Sequence, residues 1–397
     1  MLTDGALRML TLLYFHDQGY SPVKLAFLFL LYEFCGVITN LFGGWLAQRQ
    51  GLKATLVYGL ALQVGALGLL SFLNTEWPEL KAVAFVMAAQ AISGIAKDLT
   101  KMSSKTAVKF LIPEDQSSSL FKWVAILTGS KNAIKGVGFF FGAFLLQTWG
   151  FKQSLWIMAA LILIIFVFTV FALTGDLGQA KNKNRLKELF TQGKQINLLA
   201  SARVFLFGAR DIWFVVGIPI FMSEGLGWSF TKIGTFMAIW VILYGIVQSM
   251  APKIVKGKNG DAPDGKVATW LAVALSLSMA FLLGSYLSAG INANLLIAGL
   301  YIFGFIFALN SSVHSYLILE YADNDKAAMN VGFYYMANAM GRLIGTLLSG
   351  LLYQFFGLTG CLGGSLIFLI ITAVFSSFLE RHSQVSQIST DVEKSNL

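Results

Sequence analysis

"GDLGQAKNKNRLKELFTQGKQ", residues 175–195, is the longest polar interruption in the chain. On both sides of it, apolar stretches of about 20 residues recur, the length that crosses about 30 Å of hydrocarbon as a helix. Of the 397 residues, 56% are hydrophobic and 12% charged. A soluble domain is about one-quarter charged. So few charges cannot clothe a surface facing water, and lipid must cover much of it.

Eleven segments have the length of a membrane span: about 22–47, 54–73, 80–100, 121–146, 153–173, 197–222, 230–251, 267–287, 293–319, 328–353 and 358–379. Residues 1–15 are apolar but short, and the pattern begins in mid-course at Met1. They read as the second half of a first helix whose start is missing; a re-entrant or interfacial segment is the alternative. The expected organisation is an N-terminal bundle over 1–174 (helices 1–6), a cytoplasmic linker over 175–195, a C-terminal bundle over 196–380 (helices 7–12) and a polar tail over 381–397. The fold class is all-α: two pseudo-symmetric six-helix bundles around a central cavity.

The net charge of +9 raises the question of nucleic acid, and the position of the charges answers it. With the first helix running outward, the inner loops hold 17 Lys and Arg. The outer loops hold four, Lys24, Lys81, Lys152 and Lys232. That is a topology signal. It predicts a multi-pass protein of the cell membrane with a cytoplasmic C-terminus and no nucleic-acid partner. Two distant cysteines, Cys35 and Cys361, argue against a disulfide framework or thiolate metal site. No cofactor, metal site or activated nucleophile is legible, so an enzyme is not expected.

The halves repeat weakly. "GYSPVKLAF" from Gly19 resembles "GWSFTKIGT" from Gly227, and Gly5-Ala6 and Gly208-Ala209 each stand near an arginine, Arg8 and Arg210. Parallel repeats of this kind point to a transporter with its site between the halves. "GWLAQRQGLKATL", Gly44–Leu56, resembles the loop signature of the major facilitator superfamily, matching at Gly44, Leu46, Ala47, Arg49, Gly51, Lys53 and Leu56. Gln48 stands where that family has an Asp that helps to lock the gate. The resemblance implies a gating loop of Gly44, Gln48, Arg49, Gly51 and Lys53, with an altered lock.

Charges inside spans are costly and functional by default. Arg8, Lys131, Lys135, Arg203, Arg210 and Arg342 face only Asp4, Glu33 and Asp211 there. Helical spacing puts Thr128, Lys131, Lys135, Gly138 and Gly142 on one face, and Asn338, Arg342, Gly345 and Ser349 on another. Two lysines one turn apart repel unless an anion sits between them. Arg8, Lys131, Lys135, Arg210, Arg342 and Asn338 are therefore the expected substrate contacts. Asp4, Glu33 and Asp211 are expected to couple protons or balance charge, with Asp4 able to pair with Arg8. Arg203 either contacts substrate or snorkels to the inner interface, and His314 reads as a polar packing residue.

"AAQAISGIAKDLTKMSSKTAVKFLIPED" (88–115), "LFKWVAILTGSKNAIKGVGFF" (120–140), "LTDGALRML" (2–10) and "FLFGARDIWFVV" (205–216) closely resemble the organoarsenical efflux permeases called ArsJ. The resemblance implies export of 1-arseno-3-phosphoglycerate, arsenate resistance, and a functional partner glyceraldehyde-3-phosphate dehydrogenase that makes the substrate. A monomer in the lipid bilayer is expected. An importer or exchanger of sugar phosphates and a membrane scaffold for the dehydrogenase are the competing readings.

Overall fold

The computed structural model describes residues 1–50, 52–74, 76–111, 117–172, 193–255, 263–289, 292–321 and 327–380. Positions 43–50, 52, 102–111, 117–125, 289, 319 and 327–331 are described by backbone alone. The described regular structure is entirely helical: α1 (Leu2–Asp17), α2 (Pro22–Gln50), α3 (Leu52–Ser71), α4 (Glu79–Leu111), α5 (Ser117–Ala172), α6 (Lys194–Phe214), α7 (Gly217–Glu224), α8 (Phe230–Ile254), α9 (Gly265–Ala289), α10 (Ala293–Glu320) and α11 (Ala327–Ser377).

At 1.5 Å per residue, the 56 residues of α5 would measure about 84 Å if straight, far beyond one bilayer. The helix is broken at Gly150, whose φ of 76° is open to glycine and strained for other residues. The 51 residues of α11 are broken in the same way at Gly357, with φ 60°. Each therefore supplies two spans. α6 and α7 together form one more, interrupted at Val215 and Val216. Nine helices or joined pairs among the described residues are long and apolar enough to cross a membrane. The expected spans are thus found, with span four prolonged to Leu111.

α1 is buried on every side from Thr3 to Leu13, so it is an inner helix rather than a lipid-facing one. α6 is similarly enclosed. The outer positions belong to α9 and the second arms of α5 and α11, where Phe168, Phe171, Leu277, Phe281 and Ile367 are exposed to the surroundings. Such large apolar surface suits hydrocarbon.

The halves share one packing device. A Cβ on Gly5 would collide with the backbone of Lys135, and Cβ atoms on Gly138 and Gly142 with the backbone of Leu2 and Ala6. In the other half, Gly341 lies against Val204, and Gly345 against Gly208. The pairs 5/208, 138/341 and 142/345 are all 203 positions apart. Small residues let helix backbones meet where lipid supplies no hydrophobic drive. α1 therefore crosses α5 as α6 crosses α11.

Candidate functional site

Because α1, α2, α6 and α11 converge, charges far apart in sequence become neighbours. Arg8 on α1 donates to Glu33 Oε1 on α2, and Arg342 Nη2 on α11 donates to the same oxygen. Arg342 Nε also lies 3.6 Å from Asp211 Oδ2 on α6. Asp211 Oδ1 accepts from Arg210 Nε at 2.6 Å. The result is an unbroken line, Arg8–Glu33–Arg342–Asp211–Arg210, running from the N-terminal to the C-terminal half. Buried charges need such partners, since an unpaired one costs several kcal/mol.

Asp4 departs from expectation. α1 does place it one turn from Arg8, but Arg8 turns to Glu33. Asp4 instead accepts from the Tyr32 hydroxyl and lies 3.1 Å from Lys135 Nζ. The close α1–α5 crossing brings the lysine within reach. Glu33, which has no base beside it in sequence, is held by two arginines from different helices.

Two more bases belong to the interior. Lys97 and Lys101 count among the inner-loop charges in the sequence reading, yet both sit on α4. Lys97 is buried, and Asp98 Oδ1 accepts from Lys101 Nζ at 2.8 Å while Lys97 Nζ is 3.6 Å from its Oδ2. Lys101 also donates to Asn40 Oδ1 at 2.7 Å. The Lys97 ammonium stands 4.0 Å from the Tyr32 ring centroid, joining this group to Asp4. An acid within three residues of two bases, inside a helix-length apolar run, was the available signal.

Arg203 does not snorkel. It is 4% exposed, donates to Asn338 Oδ1 and to the Ser311 carbonyl, each at 3.1 Å, and lies between the Phe207 and Tyr334 rings. Asn338, an expected substrate contact, thus has its oxygen committed to Arg203. The Ser311 hydroxyl accepts from Tyr244 and from Gln248, whose own amide oxygen accepts from Asn132 on α5. His314 is fully buried, and among the described residues neither of its ring nitrogens has a hydrogen-bond partner. Lys131 is half-buried, one turn before Lys135 on α5.

The expected gating loop straddles the α2–α3 junction. Gly44, Gln48 and Arg49 lie on the final turns of α2 without described side chains, Gly51 lies outside the described residues, and half-buried Lys53 opens α3.

Arg8, Lys97, Lys101, Lys135, Arg210 and Arg342 thus face Asp4, Glu33, Asp98 and Asp211, a surplus of two positive charges. Each of these acids already faces a base. Such a set can receive an anion with arginine forks and lysine point charges, and it offers a metal cation no idle carboxylate.

The family model of the Major Facilitator Superfamily matches residues 2–346. The chain is 26% identical over 299 residues to a Na(+), Li(+), K(+)/H(+) antiporter of Planococcus maritimus, covering 68% of each chain. Its fold is similar to a bacterial homologue of the iron transporter ferroportin in an outward-facing state, with TM-score 0.65, 12% identity, and 94% and 97% of the two chains covered. It is also similar to the human organic anion transporter MFSD10 (TETRAN), with TM-score 0.61, 13% identity, and 89% and 84% covered. The chain belongs to the Major Facilitator Superfamily and is a multi-pass membrane transporter of the secondary type.

Proposed function

We propose that this Major Facilitator Superfamily member exports a small, multiply charged organic oxyanion across the cell membrane, with its C-terminus in the cytoplasm. The resemblance to organoarsenical permeases makes 1-arseno-3-phosphoglycerate the favoured substrate. The observation that carries the reading is the surplus of bases at the junction of the halves, where every acid is already engaged. Arg8, Arg210 and Arg342 would grip the substrate with Lys131 and Lys135. Glu33 and Asp211 would neutralise the arginines between cycles.

The antiporter relative suggests exchange of monovalent cations for protons. The chemistry here favours the anion, because a cation would need to take carboxylate oxygens away from arginine. Anion export also needs no ion partner. One charge moving through 100 mV is worth about 2.3 kcal/mol, so a trianion leaving an inside-negative cell gains about 7 kcal/mol. That supports a gradient of about 10⁵. Pentavalent arsenic in an oxyanion suits Arg and Lys, whereas trivalent arsenic would call for soft thiolates.

The test compares cells bearing the glyceraldehyde-3-phosphate dehydrogenase alone, this protein alone, and both. Arsenate resistance with lowered cellular arsenic is expected only with both. Resistance from this protein alone contradicts the reading.

A further inference from the structure

The line of ion pairs leaves one interior cation outside. Among the described residues, no carboxylate lies within salt-bridge reach of Arg203, although it is buried. Its hydrogen bonds go to two neutral oxygens, the Asn338 amide and the Ser311 carbonyl. The faces of Phe207 and Tyr334 also meet its charge. Cation–π contact offsets only part of the cost of burying a full charge.

Arg203 is also close to the main site. Its guanidinium carbon is 3.9 Å from the Phe207 ring centroid, and that of Arg210 is 5.1 Å from the same centroid. The two carbons are therefore at most the total of those distances apart, about 9 Å. Two like charges so placed repel across a low-dielectric interior. Asp211 is already shared by Arg210 and Arg342. Among the described residues, the interior of the C-terminal half thus holds Arg203, Arg210 and Arg342 against Asp211, and Arg342 also leans on Glu33 of the other half.

A second observation marks the same place. On α10, Asn310 precedes Ser311 and His314 follows it by three residues; both are fully buried. Among the described residues, neither polar atom of the Asn310 amide and neither ring nitrogen of His314 has a hydrogen-bond partner. Buried polar groups are normally satisfied, and each unpaired one costs about 1–3 kcal/mol. Unpaired groups therefore flank the carbonyl that fixes Arg203. Nearby, Phe307 packs on Phe207 at 5.2 Å, so this stretch of α10 lies along α6.

We propose that Arg203, with Asn310 and His314 flanking the Ser311 that it grips on α10, is a second oxyanion pole that takes the far head of a two-headed substrate while Arg210 and Arg342 hold the near head. Six bonds of roughly 1.5 Å separate the heads of a three-carbon bis-ester, which places them roughly 7 Å apart when extended. Guanidinium groups up to about 9 Å apart match that length. The carrier would then select three-carbon bis-oxyanions over esters with one head. This rests on the anion reading above, but it adds a residue and a selectivity that the ion-pair line does not supply.

The test uses purified full-length protein and two stable probes, propane-1,3-diol bisphosphate and propyl phosphate, in calorimetric titrations. Wild type is expected to bind the bisphosphate about tenfold or more tightly than the monophosphate, as one added charge-assisted contact implies. Arg203→Gln should bind both probes alike, with propyl phosphate affinity within about twofold of wild type. Arg203→Lys, which keeps the charge but not the fork, should fall between. Equal binding of the probes by wild type overturns the proposal. So does a preference retained in Arg203→Gln, or an equal loss for both probes in that variant. If Arg203→Gln does not fold, Arg203→Lys decides: a narrowed preference supports the pole, and an unchanged one overturns it. Bisphosphate preference without arsenic export by cells would sink the proposed substrate and leave the pole standing. Export without the preference would do the reverse.

Discussion

The α1–α5 crossing and the α6–α11 crossing are built alike and charged differently. Both close through glycines at equivalent positions: Gly5 meets the Lys135 backbone while Gly138 and Gly142 meet Leu2 and Ala6, and Gly341 and Gly345 meet Val204 and Gly208. The same 203-residue shift carries Arg8 onto Asp211, Lys135 onto Asn338 and Asp4 onto Phe207. In one half Lys135 meets an acid; in the other the equivalent Asn338 receives Arg203. Repetition fixed the backbone contacts, where a methyl group does not fit, and left side chains beside them free to diverge. The scaffold is symmetric while the site is not, which suits a substrate whose ends differ.

The scaffold half of that comparison breaks most severely. Gly142→Leu and Gly345→Leu should each cost about 3 kcal/mol or more through overpacking against backbone. Melting of the purified protein followed by tryptophan fluorescence should show similar losses. A variant melting like wild type would remove its crossing from the account.

Next is the arginine that both halves share. Arg342→Met leaves Glu33 and Asp211 each one partner poorer, and breaking a buried pair costs about 3–5 kcal/mol. Transport should fall about 100-fold or more. Retained transport would remove Arg342 from the substrate grip.

Lys135→Met and Asn338→Ala then test the equivalent positions directly. Lys135→Met should abolish most arsenic export while inserting normally, since it removes a costly charge from the membrane. Asn338→Ala should mainly lower stability, by about 1.5–3 kcal/mol, because Arg203 loses a bond to a buried oxygen. Equal effects on export and melting in both variants would mean that the halves do not differ in role. Lys131→Met is expected to follow Lys135→Met.

The smallest expected effect is Glu33→Gln. The amide oxygen of the new Gln can still accept from Arg8 and Arg342, and no substrate contact is lost, so export should persist within about tenfold. Complete loss would make Glu33 the proton-coupling group.

Much of this scaffold was legible in the chain. Runs of about 20 apolar residues announced the spans, and Gly150 and Gly357 fell between expected segments, where the two long helices break. The interior bases Arg8, Lys131, Lys135, Arg210 and Arg342 stood out because charge in a span is expensive. Their partners did not. Glu33 and Arg342 are 309 positions apart, and only the packing of α2 against α11 joins them. Asp4 seemed matched to Arg8 by helical spacing, a rule blind to a neighbouring helix that offers Lys135. Lys97 and Lys101 were lost to the loop because they stand at the end of the apolar run, where basic residues read as an inner-loop topology signal, although α4 continues to Leu111. Arg203 lies six residues into its expected span, where a snorkelling role and a substrate contact read alike until Ser311 and Asn338 were placed against it at the middle of α6.

Uptake into inside-out membrane vesicles tests the central claim most directly. The dehydrogenase, glyceraldehyde 3-phosphate, arsenate and nicotinamide cofactor are supplied outside, the pH gradient is clamped, and a potential positive in the lumen is imposed. Arsenic should accumulate in proportion to that potential, and vesicles with Lys131 and Lys135 both replaced by Met should accumulate none. Arsenic that stays outside while sodium or potassium exchanges for protons would contradict the account and establish a cation antiporter instead.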